Sequence, residues 1–485
     1  MRGKKLFVLW GAVVVLLLVG CTGVPETAVS PPLLTSCRLP GGVNAECGTL
    51  SVLENRDVQN GRTIDIHFAV IPAGSSISEP DPVFMLAGGP GQAASEVYPL
   101  LIPLFDELAQ NRDIVLVDQR GTGQSNPLDC PNLQDLSLDT PDEEVYDLID
   151  VCRRTLSERA DLTQYITDIA MQDLDEVRVA LDYEQINLLG TSYGTRAALS
   201  YMRLFPDNVR TVVLNAVTGP ELVLQLQAPA DGQRALDLLF ARCRADAACQ
   251  SEFPDFEAQF AQIMAALGDG QAVTFAHPTT GQRQTITLDE DDLMQSVYNL
   301  LYSPDLLSLL PLLVDEVAAT GDYGPLVAQI VALSANLGLY QGMFYAVTCS
   351  EDAALIDPDA ASAANADSRF PSGADEFVMI CENWPPADVS NAFRRPLVSD
   401  IPALLLSGEA DPITPPQYAA QVAAGLSNSQ HLVLPGYGHD VLTAGCIPAL
   451  VTNFITAGTI TGLDISCTDE IKPPPFFVSP SGPQP

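Results

Sequence analysis

The pentapeptide Gly190-Thr191-Ser192-Tyr193-Gly194 sets a serine between two glycines. It lies where the apolar run 186–189, INLL, gives way to a helix-period run, 195–202, TRAALSYM. In a G-x-S-x-G turn this tight, a side chain on either glycine would strike a neighbouring strand or helix. The serine hydroxyl is pushed into the open. The next N–H, that of Tyr193, sits at a helix start, where it can donate to a developing oxyanion. An ordinary Gly-flanked turn has the same letters. Nucleophilic chemistry therefore requires a base, an acid and a second oxyanion donor elsewhere in the chain.

The chain has four histidines. His67 sits in the alternating strand pattern DIHF, His277 in the turn FAHPTTG, and His431 at the start of HLVL. His439 lies in PGYGHD, a glycine-bounded loop after a strand, the placement that suits a base. Asp411, in SGEADPITP, follows the strand PALLL and precedes the histidine, so it is the candidate acid. Glu409 and Asp440 compete with it, and Asp-Pro is also a turn signal. The loop LAGGPGQ offers the N–H of Gly89 as the second oxyanion donor, with Pro90 stiffening the turn. A phosphate-cradling loop is the rival reading, but the Lys and Ser/Thr of a P-loop are missing. Asp118 and Arg120, in DQRGTGQS, read as a structural bracket for the glycine loop.

These residues need a scaffold that brings strand ends together. Residues 48–72 read as two strands around an Asn-Gly turn, and DPVFMLA and RDIVLVD as buried strands. Residues 168–182 have helical spacing, with Ile169, Leu174, Val177 and Leu181 near one face. Strands alternating with helices imply parallel βαβ units. From 221 to 395 the period is mostly helical, and the strand rhythm returns at IPALLLSG and SQHLVLPG. The expected organisation is a core in two parts, 45–220 and 396–470, interrupted by a helical insertion over 221–395. A Pro-rich, unstructured tail follows over 471–485.

The amino terminus carries Arg2, Lys4 and Lys5 before the apolar run 6–19, the pattern of a signal peptide over 1–20. A retained anchor is the alternative, but the run is shorter than the roughly 20 residues a span needs. Leu18-Val19-Gly20-Cys21 resembles a bacterial lipobox, which implies a lipid on Cys21, a polar tether over 21–44 and attachment at the outer face of a bacterial membrane. Setting Cys21 aside leaves sequence-neighbour pairs Cys37/Cys47, Cys130/Cys152, Cys243/Cys249, Cys349/Cys381 and Cys446/Cys467. In an oxidising compartment these read as five local disulfides, with nested or crossed pairings left open. A zinc site is the alternative, but no CxxC pair occurs and the chain has only four histidines, so no metal is expected. The net charge is −38, and Lys472 is the only lysine beyond the signal segment. Such a surface repels nucleic acid, and no nucleic-acid partner is expected.

Together, GGPG, DQRGTGQS, GTSYGT, GEADPITP and GYGH resemble the tripeptidyl aminopeptidase and prolyl iminopeptidase family of α/β-hydrolase serine peptidases. The order Ser, Asp, His is that of α/β-hydrolases. The resemblance spans roughly residues 45–470. It implies an α/β-hydrolase fold with a helical cap inserted between the later strands, no cofactor, and peptide substrates cleaved from a free amino terminus. Ser192, Asp411 and His439 match the family's triad, and Gly89 and Tyr193 its oxyanion positions. Leu86-Ala87 stand where prolyl iminopeptidases carry His-Gly, and Tyr193 where they carry Trp, which favours the tripeptidyl branch. A carboxylesterase, or a binding lipoprotein that kept the fold, remains an alternative. An exopeptidase must meet an α-ammonium with a carboxylate. Glu351 and Asp352 beside Cys349, with Glu382 beside Cys381, are the candidates.

Overall fold

The computed structural model describes residues 34–483, apart from 135, 137–139, 335–337, 367 and 372. The expected signal segment, Cys21 and the tether as far as residue 33 lie outside the described residues. The central sheet has nine strands: β1 Thr35–Arg38, β2 Asn44–Leu53, β3 Thr63–Ile71, β4 Val83–Leu86, β5 Ile114–Val117, β6 Ile186–Thr191, β7 Val209–Asn215, β10 Ala403–Gly408 and β11 Ser429–Leu434. Their order is β1-β2-β3-β5-β4-β6-β7-β10-β11. The first four in that order pair antiparallel, and the rest are parallel. Two further strands, β8 Gln271–Ala276 and β9 Arg283–Leu288, form a separate hairpin.

Period-2 alternation divides the strands between two layers. Val83, Met85, Ile114 and Leu116 face one layer, while Phe84, Leu86, Val115 and Val117 face the other. Both faces are buried, which is why these strands read as continuous apolar runs. Helices cover both. The helices that matter below are α1 Ala94–Val97, α2 Thr167–Ala180 and α3 Tyr193–Leu204 in the first part of the core, α4 Leu224–Ala245, α5 Glu290–Leu300, α6 Gln341–Glu351 and α7 Ala374–Glu382 within the insertion, and α8 Ile447–Ala457 after it. α2 and α3 bring Leu174, Val177, Ala197 and Tyr201 to one layer, and α8 brings Leu450 and Phe454 to the other. Each buried Val, Leu or Phe contributes about 1.5–3 kcal/mol. The parallel centre is thus a rigid platform whose strand ends carry the loops of interest.

The insertion has its own core of Leu236, Phe240, Phe260, Leu293 and Val297. It is less purely helical than its sequence period suggests, because the β8–β9 hairpin lies inside it. β-branched Val273, Thr274, Thr285 and Ile286 account for that local choice. Two expected boundaries also change. The tether is shorter, since β1 already pairs with β2 at Thr35–Arg38. The tail is docked rather than free. Phe476 is buried beneath the Arg242 guanidinium, 4.1 Å from its ring centroid, and the Phe477 N–H donates to the Ser308 carbonyl. The structure contains the disulfides Cys37–Cys47, Cys130–Cys152, Cys243–Cys249, Cys349–Cys381 and Cys446–Cys467.

Candidate active site

The serine stands at the carboxyl end of β6, between β4 and β7. A Cβ on Gly190 would lie 2.3 Å from the Gly194 carbonyl oxygen, and one on Gly194 would lie 2.1 Å from that of Leu86. Backbone cannot yield to contacts that short, so both positions require glycine. Ser192 itself has φ 58° and ψ −124°, a strained conformation for an L-residue. The turn is held by the Ser192 N–H donating to the Asn215 carbonyl at 2.9 Å and by the Thr195 N–H and hydroxyl donating to the Ser192 carbonyl. Tyr193 is the first residue of α3, so its N–H is among those a helix leaves unpaired.

The glycine loop after β4 lies against the serine: a Cβ on Gly88 would be 3.2 Å from the Ser192 Cβ. Gly89 adopts φ 104°, a region that only glycine occupies freely. From above, the insertion covers this loop, with the Tyr340 N–H donating to the Gly91 carbonyl and the Leu339 side chain over Gly89. From below, Asp118 braces it by accepting from the Ser95 N–H and hydroxyl at 2.9 and 2.8 Å and by contacting the His67 Nδ1 at 3.1 Å. Arg120 does not pair with Asp118. Its guanidinium forks onto Asp173 and onto the carbonyls of Glu54 and Gln164.

Asp411 and His439, from the loops after β10 and β11, meet: Nδ1 of the imidazole is 2.9 and 3.1 Å from the two carboxylate oxygens. Asp411 also accepts from the N–H groups of Ile413 and Thr414 and from the Thr414 hydroxyl, which lies 3.1 Å from His439 Nδ1. Burial alone would push the Asp411 carboxyl up. The His439 charge and hydrogen bond and the Thr414 donors outweigh it and hold the group below the ordinary carboxylate value. For His439, burial acts to lower the value, but Asp411 outweighs it and raises the imidazole above the ordinary histidine value. The competing carboxylates are engaged elsewhere. Asp440 accepts from Asn215 Nδ2 and the Leu442 N–H, and Glu409 accepts from the Gly436 N–H. His431 contacts Ser407, and half-buried His277 holds its own turn.

Asn215, at the end of β7, was not legible as a site residue. Its carbonyl holds the serine turn, and its side chain donates to Asp440 and accepts from the Val441 N–H, so one residue ties the serine turn to the histidine loop. Only strand order makes this visible. Thr414 was missed for a similar reason, although its place three residues after Asp411 in a turn motif was a usable signal.

The expectation that Glu351 and Asp352 meet a substrate amine needs correction. Both are buried, at 1% and 2% exposure. Glu351 accepts from the Thr167 N–H and hydroxyl at 2.8 and 3.0 Å. Asp352 accepts from Arg196 at 3.0 Å, and the same guanidinium lies 3.5 Å from Glu351. A carboxylate already neutralised inside the protein cannot offer itself to a ligand. The Cys349–Cys381 bridge does fix these residues, but it fixes them facing inward. Glu382, at the end of α7, is exposed.

Two family models match the chain. One described as "alpha/beta hydrolase fold" covers residues 81–242 and one described as "TAP-like protein" covers 370–467. The first contains Ser192, the second Asp411 and His439. Serine protease Hip1 of Mycobacterium tuberculosis is 25% identical over 94% of this chain and 96% of its own length. A tripeptidyl aminopeptidase of Streptomyces lividans is 29% identical over 150 residues, 27% of this chain and 28% of that one. The solved structure of a proline iminopeptidase from Mycobacterium smegmatis is 15% identical, covers 84% of this chain and 98% of its own, and has a TM-score of 0.37. The two family models and the full-length similarity to a serine protease mark this chain as an enzyme with the α/β-hydrolase fold, similar to TAP-like serine hydrolases.

Proposed function

We propose that the protein is an exported serine exopeptidase that hydrolyses peptides from a free amino terminus through Ser192, His439 and Asp411. The observation that carries this reading is the Asp411–His439 contact at 2.9 Å, with the histidine on a loop that Asn215 ties to the serine turn. The neutral imidazole accepts the serine proton at Nε2 as Oγ attacks the scissile carbonyl. Asp411 keeps Nδ1 protonated and stabilises the imidazolium that forms. The N–H groups of Tyr193 and Gly89 meet the oxyanion. The imidazolium then gives its proton to the leaving amine, and water hydrolyses the acyl-enzyme by the same route. Amino-terminal release is supported by the TAP-like match and by relatives named as aminopeptidases. Five disulfides support export to an oxidising compartment, and Cys21 is the proposed lipid attachment point.

Turnover of tripeptidyl and monopeptidyl chromogenic substrates, each free and N-blocked, tests the reading. Free-amine peptides should be cleaved and blocked ones spared, with Ser192→Ala inactive on all. Preferential cleavage of blocked peptides or simple esters would replace the exopeptidase assignment with an esterase one. Acyl mass on the mature amino terminus tests the anchor.

A further inference from the structure

The Asp411 and His439 loops are not held by the hydrolase core alone. Three side chains of the insertion reach them. Tyr302, just beyond α5, stands with its ring centroid 5.0 Å from the imidazole, the two planes inclined at 65°. Its carbonyl accepts the His439 N–H at 3.0 Å. The approach is so close that a Cβ on the preceding Gly438 would lie 2.3 Å from that same oxygen. Within α5, the Tyr298 hydroxyl donates to the Pro412 carbonyl at 3.1 Å, and its ring continues an aromatic row from Phe370 to Tyr302 and the imidazole. From α4, the two terminal nitrogens of Arg234 donate to the carbonyls of Glu409 and Asp411 at 2.7 and 2.6 Å.

Resting on the function proposed above, we infer that Tyr302 and Arg234 are positioning residues for the Asp411–His439 pair: the insertion, through them, sets the alignment of the base. Both partners sit on loops rather than in strands, and loop backbone is the soft part of an α/β scaffold. Proton transfer needs the imidazole held within a few tenths of an ångström and about 10–20° of its productive pose. Asp411 and Thr414 hold the Nδ1 edge. Tyr302 supplies the ring wall and the main-chain acceptor, and Arg234 fixes the peptide that carries the carboxylate. Neither residue touches the reacting atoms. Docking of the insertion and competence of the base are thereby one event, so a substrate that moves the insertion also tunes the base.

The groups facing His439 are Asp411 and Thr414 from the acid loop, Asp440 from its own loop and Tyr302 from the insertion. Of these, Asp411 does most to lift the imidazole above its ordinary value. Loosening the pair must therefore lower the histidine's titration toward the unperturbed value of about 6.5.

The test compares Tyr302→Leu, Tyr302→Phe and Arg234→Met in the full chain, with Tyr302→Met as a second aliphatic variant should Leu fail to fold. Two measurements are made: the His439 titration by NMR, practical with four histidines, and the pH dependence of inactivation by a fluorophosphonate. Tyr302→Leu and Arg234→Met should move the titration to lower pH and slow inactivation at its plateau roughly ten- to hundredfold, the cost of a misplaced reacting group. Tyr302→Phe should restore both. A titration unchanged in both Tyr302→Leu and Arg234→Met, even with lowered stability, would make these residues mere packing and overturn the inference. The underlying functional reading fails separately: wild-type labelling rates in His439→Ala would remove the histidine as base, whatever the titrations show.

Discussion

Replacing Arg196 with methionine separates a structural role for the buried Glu351–Asp352 pair from any role in binding. Arg196 lies on α3, one turn beyond the serine, and is 2% exposed. Its guanidinium meets Asp352 at 3.0 and 3.2 Å, Glu351 at 3.5 Å and the Leu222 carbonyl at 2.7 Å. Methionine keeps much of the stem volume and removes the charge, leaving two adjacent carboxylates without their hydrogen-bonded cation, with only the more distant Arg394 charge beside them. Breaking a buried pair in this way costs about 3–5 kcal/mol. The loss must depend on pH. Burial already pushes Glu351 up to about 7, against the lowering effect of Arg196, and it raises Asp352 as well. A carboxyl raised on folding binds its proton more readily in the folded state. The wild type therefore loses stability as pH rises from the unfolded value toward 7. Without Arg196 both groups titrate higher still, so the penalty is full at pH 8. At pH 5, where the protonated forms suit the buried site, it shrinks to about 1–3 kcal/mol, the cost of a Leu222 carbonyl left without its donor. Equilibrium denaturation with the disulfides intact, at pH 5 and pH 8, reads this directly. Adding Glu351→Gln and Asp352→Asn should recover much of the loss at pH 8. Equal losses at the two pH values, or a loss below about 1 kcal/mol at pH 8, would refute the idea that Arg196 neutralises this pair.

The acid limb of kcat/KM should fall above about 6.5, because the working form is the neutral imidazole and His439 is raised by Asp411. Asp411→Asn should shift that limb to lower pH and cut the rate; a limb that stays in place would mean it does not report the His439–Asp411 pair. Gly194→Ala should destabilise by about 1–3 kcal/mol or more, since its Cβ would lie 2.1 Å from the Leu86 carbonyl, whereas Gly373→Ala, which meets nothing within 4 Å, should not. Thermal or denaturant midpoints check both. Joint replacement of Cys349 and Cys381 by alanine, which opens a loop with a sequence separation of 32, should cost about 3–4 kcal/mol. Midpoints equal to those of the wild type under non-reducing conditions would show that bridge to be dispensable.

Much of the core could be read directly from the chain. Parallel strands buried on both faces leave long apolar runs, and the strand-to-helix turn at Ser192 announces itself because only glycine fits at 190 and 194. Local pairing of the cysteines was legible for a related reason, as short loops close most readily. Asp411 and His439 could be named from their loops and order, but Glu409 and Asp440 stayed in contention on sequence grounds. What only the tertiary structure decided is everything that depends on which strand neighbours which and on how the insertion lies. The position of β7 beside β6 makes Asn215 the link between the serine turn and the histidine loop. The approach of α2 and α3 turns Glu351 and Asp352 inward to Thr167 and Arg196, where an isolated acidic dipeptide beside a cysteine had suggested a surface for ligand. Docking of the insertion brings Tyr302 and Arg234, distant in sequence, onto the two loops. Periodicity reports which face of an element is apolar, because that is a property of neighbouring residues. A buried charge or a polar clamp is specified by its partner, and that partner may lie anywhere in the chain.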